Sequence, residues 1–543
     1  MKKLLFSTII GLAATVTVQA QAPCSRIVTL SNDITANRTL YSDSIYRISG
    51  NVAVTAPHIL TIQAGTIVEM QQNSILEILQ GAQINATGTA TAPIIFTPDV
   101  GAPGSRTQVS NASIIIAGRA ATSLSSTTLP GGESFTTGTT AGDNSGTLQY
   151  VQIHYLNGST TADFENALTF IGVGSGTTID HVEVTNSGRN GLGILGGSPV
   201  INSLYTQDNF QNGILATYGT QAQITGWLEN RRDPAAHSSN LSYGILIQNN
   251  LANAAATPIT HVKLNNVTIK GVADCNTGPF SSDFRDGIRI ANNAEAEVRN
   301  SVITGQVGNG LYLNGADCIG KTKTGEIVFS YNSLADNGND FDAFPSSTGA
   351  SWSSNSGCST SMAAWLTGSS ASCSQISNQF DQINPFDLGY DASFCGSYCD
   401  QNFTQNFVLT ENTELADPDV TTSVYDFRGA VPFDNLYDWV YSCPQNAVYC
   451  TDNLLRNEAP KVNFIPNPTN GMTYAVFRTD VTGEVIISVL DKVSGMTLRS
   501  VRAKIAQSGD QKISFSMSGM EVGVYTVRIQ TKGEILYGQL VVK

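Results

Sequence analysis

The chain has 543 residues, more than one hydrophobic core usually serves, so it predicts several domains or a quasi-linear stack of repeats. Charged residues make up only 13% and glycine numbers 50, a composition that favours short strands and turns and argues against a helical protein. The formal net charge of −14 repels phosphate backbones, so we exclude nucleic acid as a partner.

The N-terminal segment 1–20 is typical of a signal peptide. Lys2 and Lys3 are followed by an apolar run from Leu4 to Val18 and by a small-residue stretch that ends at Ala20. This order is that of a cleaved export signal, and the run is shorter than the ~20 residues that span a bilayer. We expect cleavage after Ala20 and a mature chain that leaves the cytoplasm, to be secreted or placed at the cell surface.

Two repeats indicate stacked coils. Near the start, the stretch from Leu60 to Gly65 is echoed by the stretch from Leu76 to Gly81. A second repeat, a polar residue and glycine followed by alternating apolar residues, begins at Asn166-Ala167. It recurs at Asn190-Gly191, Asn212-Gly213, Tyr243-Gly244, Asp286-Gly287 and Asn309-Gly310. Three of the gaps are nearly equal and two are longer, and we expect the glycines to form tight turns at positive φ.

This spacing predicts a right-handed parallel β-helix over residues 21–410, in which each coil is buried by its neighbours. The alternative, a leucine-rich repeat, lacks its L-x-x-L-x-L pattern here. Two segments are predicted to be loop insertions, near residues 121–146 and 332–400, because they are rich in Ser, Thr, Gly and Asn without apolar periodicity. Residues 411–460 are aromatic, and we interpret them as a cap and linker over the last coil; carbohydrate stacking is the alternative use of those aromatic rings.

Nine cysteines are present, an unusual number for an intracellular chain but an expected one for an exported protein with disulfides. Six of them fall between residues 358 and 450: Cys358, Cys373, Cys395, Cys399, Cys443 and Cys450. Zinc is disfavoured because the Cys395 and Cys399 pair has no second thiol pair at zinc spacing. Since nine is odd, one thiol is free or pairs elsewhere.

From residue 461 the chain alternates apolar and polar residues in five or more short runs, which predicts a small all-β sandwich over residues 461–543. The motif residues are Pro466, Asn467, Pro468 and Gly471 at its head, Gly523 and Tyr525 near its end, and the terminal Lys543. This domain resembles the type A C-terminal sorting domain of type IX secretion cargo in Bacteroidetes. The resemblance implies passage through that translocon, removal by a sortase-like peptidase, and release or attachment to surface lipopolysaccharide.

The body resembles a family of exported Bacteroidetes β-helix proteins without an assigned activity. The matching stretches are residues 114–120, 143–151, 172–179 and 427–431, together with Asp438-Trp439. This resemblance implies the fold rather than any chemistry.

β-Helices also carry polysaccharide lyases and hydrolases, so we searched for catalytic residues. Ile179-Asp180-His181 is similar to an element of pectate lyases, but its pattern matches that of Thr260-His261-Val262, which predicts the same coil position and an ordinary outward strand. The best basic and acidic cluster for β-elimination is Arg285, Asp286 and Arg289, with Lys263 and Lys270 upstream. A salt-bridged outer face is the alternative interpretation of that cluster.

One segment has several oxygen ligands in a short turn, as calcium requires. Its members are Asp336, Asn337, Asn339, Asp340 and Asp342. Turns select the same residue types, so calcium is a candidate cofactor whose ligands do not follow EF-hand spacing. The sequence as a whole favours a non-catalytic binding or adhesion protein with a glycan or surface ligand. A polysaccharide lyase or glycoside hydrolase is the alternative, and surface-layer material is the third hypothesis.

Overall fold

The structure is a computed structural model of the chain. It describes residues 26–99, 111–231, 242–272, 285–345, 349–368, 373, 375, 378–380, 429–430, 462–465, 467–479, 482–490, 497–506, 509–531 and 535–543. The predicted signal peptide, six of the nine cysteines and most of the predicted cap lie outside these residues. Residues 28–430 fall in one compact unit and residues 462–543 in a second.

The first unit is built on two long parallel sheets. Sheet A has 17 strands. They are β1 (Arg26–Leu30), β2 (Arg38–Leu40), β3 (Ser44–Ile48), β5 (Ile59–Ile62), β6 (Ile67–Met70), β8 (Gln83–Thr87), β9 (Ile94–Pro98), β13 (Gly146–His154), β15 (Thr178–Thr185), β17 (Val200–Gln207), β19 (Gln223–Asn230), β21 (His261–Lys270), β23 (Glu295–Arg299), β24 (Val302–Thr304), β26 (Ile327–Ser330), β27 (Ser333–Ala335) and β29 (Gln379–Phe380).

Sheet B has ten strands, one from each successive coil. They are β4 (Asn51–Val54), β7 (Ile75–Ile78), β10 (Ser113–Ala117), β14 (Asn166–Ile171), β16 (Asn190–Leu195), β18 (Ile214–Thr217), β20 (Ile245–Gln248), β22 (Ile288–Ala291), β25 (Asn309–Asn314) and β28 (Asn339–Phe344). A hairpin of β11 (Ser126–Thr128) and β12 (Ser134–Thr136) and three short helices, α1 (Ala316–Thr324), α2 (Gly349–Ser354) and α3 (Met362–Leu366), complete this unit.

The predicted right-handed parallel β-helix is confirmed. Within each strand, alternate side chains point between the two sheets, and a continuous core of fully buried Ile, Leu and Val runs through the stack. The register of sheet B pairs Asn166 with Asn190 and Ile214 with Ile245, so the spacing of the second repeat gives true coil lengths. The echo of Leu60 at Leu76 is not a coil, because Leu60 pairs with Ile84 in sheet A while Leu76 pairs with Val52 in sheet B.

The reason predicted for the repeated glycines is wrong. None of the five has positive φ. A Cβ on Gly244 would lie 2.7 Å from Ile269 Cγ2, one on Gly287 2.6 Å from Ile303 Cγ2, and one on Gly310 2.8 Å from Leu334 Cδ2. The start of each of these sheet B strands passes so close to inward side chains of sheet A that only a hydrogen atom fits.

Positive φ instead occurs within the long strands of sheet A. Tyr150, His181, Ser203 and Asn266 each have φ between 50° and 53° and lie at the same position of their coils. The left-handed residue bends each strand into two arms, so that β8 and β9 both pair with β13. One coil therefore offers two outward faces on sheet A.

The segment near 121–146 leaves the coils between β10 and β13 and forms the β11–β12 hairpin, whose Leu129 and Phe135 pack on outward residues of sheet B. Within the range 332–400, β27 and β28 still belong to the coils, since β27 pairs with β24 and β28 pairs with β25, the equivalent strands of the preceding coil. The helices α2 and α3 follow, with a disulfide between Cys358 and Cys373. Cys318 in α1 is a buried free thiol.

The second unit is the predicted small β-sandwich. A three-stranded antiparallel sheet contains β30 (Val462–Ile465), β31 (Met472–Thr479) and β34 (Gly509–Ser516). A four-stranded sheet contains β32 (Gly483–Leu490), β33 (Thr497–Ile505), β35 (Gly523–Gln530) and β36 (Ile535–Val542). Buried apolar residues, including Phe477, Ile487 and Val527, form its core. Among the residues described for the whole chain, no helix has the length and apolar character to cross a membrane.

Candidate functional site

A row of outward side chains crosses five successive strands of sheet B. The register aligns Leu215, Leu246, Arg289, Tyr312 and Asp342 on β18, β20, β22, β25 and β28. Each is flanked by inward residues of the core, as Arg289 is by Ile288 and Ile290, so the alternation of the strand turns it to the outside. All five side chains are partly exposed. We call this row the sheet B stripe.

Arg289 is held between two aromatic rings. Its guanidinium carbon lies 5.0 Å from the ring centroid of Tyr243 and 4.6 Å from that of Tyr312, within the range of a cation–π contact. The Arg289 side chain is 19% exposed. Contact with two rings restricts the guanidinium, which lowers the entropy cost of using its remaining N–H donors for a ligand.

Asp286 fixes the same guanidinium from the protein side. Its Oδ2 accepts from Arg289 Nη1 at 3.1 Å, and its Oδ1 accepts from the Asn309 backbone N–H at 3.1 Å and from Asn309 Nδ2 at 2.6 Å. Burial raises the pKa of the Asp286 carboxyl above its usual value, against the lowering effect of the Asn309 and Arg289 donors. Asp286 is 1% exposed, so these protein donors occupy a carboxylate that solvent barely reaches.

The position of Asp286 follows from a ladder of amide side chains at this corner of the coils. Asn190 donates through Nδ2 to Asn166 Oδ1 at 3.0 Å, and Asn212 donates to Asn190 Oδ1 at 2.8 Å. At the next coil, Asn212 Oδ1 accepts a hydrogen bond from the backbone N–H of Tyr243. Asp286 and Asn309 hold the equivalent positions in later coils, so the polar residue of the repeat satisfies the backbone and side chains of its neighbours.

The structure brings together two of the three predicted catalytic residues. Arg289 and Asp286 form a salt bridge, whereas Arg285 is exposed and its backbone N–H donates to Ser242 O at 3.0 Å. Lys263 and Lys270 do not join them, because both lie on β21 of sheet A. Lys263 Nζ is 2.8 Å from Glu297 Oε1. Tyr243 and Tyr312 were missed as site residues, because their sequence pattern indicates only membership of the repeat.

A buried charged pair lies behind the stripe. Glu229 Oε1 accepts from Arg231 Nε at 3.2 Å, and the two side chains are 0% and 1% exposed. Thr206 donates its hydroxyl to Glu229 Oε2 and accepts from Trp227 Nε1 at 2.7 Å. Burial raises the pKa of Glu229, which the nearby Arg231 opposes, and burial lowers the pKa of Arg231. Asp286 also favours the charged form of Arg231, so the pair is electrostatically linked to the stripe.

A family model described as a pectate-lyase-like β-helix domain matches residues 32–370, more than half of the chain. The chain belongs to this family. Comparison with curated proteins gave no significant match.

Within this pectate-lyase-like β-helix, Asp180-His181 does not occupy the coil position of Thr260-His261. The register pairs Ile179 with Ile201, then Ile224 and Leu264, so His181 is equivalent to Asn266. His181 does lie within an outward strand, β15 (Thr178–Thr185), but its φ of 53° makes it the bend of that strand. Its ring stacks on Tyr150 at 4.3 Å, and its Nδ1 lies 2.7 Å from Asp180 Oδ1.

The predicted calcium ligands lie at the last described coil. Asn337 is used by the fold, because its Oδ1 accepts from Gln306 N at 3.1 Å and its Nδ2 donates to Ile303 O at 3.1 Å. Asn339 Nδ2 donates to Asn309 Oδ1, and Asp342 accepts from Ala343 N. The part of the chain that the structure describes contains no group of three His, Cys, Asp or Glu side chains able to hold a metal ion. Calcium binding by Asp336, Asp340 and Asp342 stays a prediction, which a melting-temperature shift in millimolar calcium checks.

In the second unit, residues of the predicted sorting motif come together although they are far apart in sequence. Asn467 Oδ1 accepts from Val541 N at 2.9 Å, and Lys543 N donates to Thr469 O at 2.9 Å. Gly523 opens β35 opposite Val542, and the Tyr525 hydroxyl donates to Glu521 O at 2.8 Å. The head of the motif, the start of β35 and the end of the chain thus share one edge of the sandwich. Pro466 lies outside the described residues.

Proposed function

We propose that this β-helix protein binds a carbohydrate at the sheet B stripe and does not cleave it. The observation that carries the proposal is the guanidinium of Arg289, which lies over the rings of both Tyr243 and Tyr312 and is bonded to Asp286. A sugar presents hydroxyls and an apolar C–H surface on the same ring. The stripe offers both complements, because Leu215, Leu246 and Tyr312 lie beside the donors of Arg289 and the carboxylate of Asp342.

Binding is favoured over catalysis because the two carboxylates next to Arg289 and Arg231, those of Asp286 and Glu229, are buried. A general acid or base must come within hydrogen-bond reach of the proton it transfers. Asp286 is 1% exposed and accepts three hydrogen bonds from Asn309 and Arg289, and Glu229 is 0% exposed and bonded to Thr206 and Arg231. Neither is placed to touch a substrate on the stripe.

Polysaccharide cleavage is the second candidate, and two observations favour it. The matching family is described as pectate-lyase-like, and the raised pKa of Asp286 suits a proton donor. In this alternative, a β-elimination, Arg285 takes the proton α to the substrate carboxylate, the glycosidic C–O bond breaks as Asp286 protonates the leaving oxygen, and Arg289 neutralises the charge of the substrate. It requires the Asn309 contacts to break when substrate binds.

The test of binding is a glycan array and titration calorimetry with the full chain and two site variants. Arg289→Lys keeps the charge but loses the planar contact with both rings, and Tyr312→Ala removes one ring. We expect each to weaken binding at least about 10-fold, while the exposed α1 variant Lys323→Ala binds as the parent does. Equal binding by all four proteins overturns the proposal, and shortening of the glycan during the titration favours the second candidate.

We further propose that the protein is exported and leaves the cell by the type IX translocon. This proposal is supported by the charged head and apolar run of residues 1–20 and by the shared edge formed from Asn467, Gly523 and Lys543. A sortase-like peptidase then removes the second unit, and the product is released or joined to lipopolysaccharide. Mass spectrometry of both termini, from the cell surface and from the medium, tests this route. A mature protein that retains Lys2 or Lys543 contradicts it.

A further inference from the structure

Each bent strand of sheet A has a first arm, which precedes its left-handed residue, and a second arm, which follows it. We infer that the outward face of the first arms is a second carbohydrate surface, which takes an extended uncharged polymer lying along the coil axis. The inference stands apart from the sheet B stripe, since it concerns other strands and other side chains. It is carried by two rows of outward hydroxyl and amide side chains and by a groove at the end of these rows.

The two rows are set by strand register. The first contains Thr61, Asn85, Thr147, Thr178, Val200 and Gln223, which align in that order across β5, β8, β13, β15, β17 and β19. The second contains Thr87, Gln149, Asp180, Asn202 and Thr225. All of these residues are partly or fully exposed, and the residues between them, such as Leu148, Ile179 and Ile201, are buried.

The rows have the dimensions of a polymer site. Neighbouring strands lie about 4.8 Å apart, so five steps from Thr61 to Gln223 span about 24 Å. Threonine side chains are stiff at χ1, and amides and hydroxyls both donate and accept hydrogen bonds. A flat, pre-ordered array of this kind complements the hydroxyls of a long sugar chain at low entropy cost.

A groove at the N-terminal end of the rows supports the same occupant. It is shallow and open to solvent, has a volume of about 460 Å³, and is lined by Ser42, Thr61, Gln63, Asn85 and Thr87, together with Ile62 and Ala64. This volume lies within the range of ligand sites. Three of its lining residues belong to the rows, so the groove and the flat face form one continuous surface.

The charge of the rows selects an uncharged partner. Asp180 is their one ionisable residue, and its carboxylate lies 2.7 Å from His181 Nδ1. The next coil contributes Lys263, whose ammonium lies 2.8 Å from Glu297. A polyanion would find no cation along the rows to bind. A protein partner would be expected to need an apolar or aromatic anchor, and the rows offer only Val200.

The test is co-sedimentation of the full chain with insoluble cellulose and chitin, which are uncharged, and retention on a polygalacturonate gel, which is charged. The site variant is Asn202→Ala with Thr225→Ala, whose side chains are outward and leave the core intact. The matched control is Asn253→Ala with Thr324→Ala, an exposed pair of the same residue types away from sheet A.

We expect sedimentation with at least one neutral polymer, an affinity about 10-fold lower for the Asn202 and Thr225 variant, and no change for the control. No sedimentation with either polymer, equal affinity of the two double variants, or a preference for polygalacturonate overturns the inference. Tyr312→Ala separates it from the proposed function. If Tyr312→Ala alone abolishes sedimentation, the stripe holds the polymer and the inference fails; if Tyr312→Ala sediments normally, the first arm of sheet A holds it, whatever the stripe binds.

Discussion

Arg231→Met is predicted to destabilise the first unit strongly. The Glu229 and Arg231 side chains are 0% and 1% exposed, so removing the guanidinium leaves a carboxylate buried beside Thr206 with no cation against it. Losing one partner of a buried ion pair costs about 3–5 kcal/mol, a factor of about 10² to 5 × 10³ in the folding equilibrium constant. Methionine nearly fills the space of the arginine stem, so the loss reports charge rather than a cavity.

The loss of unfolding free energy caused by Arg231→Met depends on pH, and its sign follows from the raised pKa of Glu229. Burial raises the pKa of Glu229 above 4.5, so between pH 4.5 and the folded-state pKa the folded chain holds a proton that the unfolded chain releases, and stability falls as pH rises through that window. Arg231 opposes this effect, and its removal raises the pKa of Glu229 further. The destabilisation by Arg231→Met is therefore larger at pH 8 than at pH 4.5.

Urea unfolding followed by tryptophan fluorescence measures this effect in the first unit, because all four tryptophans precede residue 440. The control is the double variant Glu229→Gln with Arg231→Met, which removes the charge that needs a partner and recovers at least half of the lost stability. A loss below about 1 kcal/mol, or an equal loss at both pH values, would refute the assignment of a buried charged pair.

Three further predictions concern particular residues. Gly287→Ala places a Cβ 2.6 Å from Ile303 Cγ2 and is expected to lower the free energy of unfolding by about 1–3 kcal/mol in the same assay. The control is Gly320→Ala, whose Cβ meets nothing nearer than 3.7 Å and which is expected to be neutral or stabilising. Equal effects of the two substitutions would contradict the steric explanation of the repeated glycines. Replacing Cys358 and Cys373 by alanine opens a loop with a sequence separation of 15 and is expected to cost about 3 kcal/mol, and an unchanged urea midpoint would exclude a stabilising disulfide. Burial raises the pKa of the Cys318 thiol to about 12, so at pH 8 a fraction on the order of 10⁻⁴ is thiolate. Peptide mapping should therefore find Cys318 unalkylated by iodoacetamide until urea is added. Alkylation of Cys318 in the native chain would contradict its burial.

The fold could be predicted because its repeat leaves a regular trace in the sequence. The lengths of the coils follow from the spacing of the polar residue and glycine, and strand register confirms them, as in the pairing of Asn166 with Asn190. The role of glycine could not be read in the same way. Both a left-handed turn and a close approach of two strands select glycine, and only the position of Ile303 against Gly287 distinguishes them.

The candidate site was predicted in part. Asp286, just before β22, and Arg289, within it, are three residues apart, so the sequence placed them in one cluster, but strand alternation alone does not predict their salt bridge. Tyr243 and Tyr312 come from the coils before and after that of Arg289, and their contact depends on loop lengths that composition does not reveal. Glu229 resembles a surface residue in sequence. Counting alternation from the buried Trp227 would have turned it inward and indicated a buried partner.

The most direct test of carbohydrate binding without cleavage is a retention measurement with recovery of the ligand. A glycan selected on the array is incubated with the full chain, with Arg289→Lys and with Tyr312→Ala, and its chain length is determined before and after. Retention by the parent chain, loss of retention in both variants and recovery of the glycan at its original length are the expected results. A shortened glycan, with the shortening abolished by Asp286→Ala, would contradict the proposal and establish an enzyme on this β-helix.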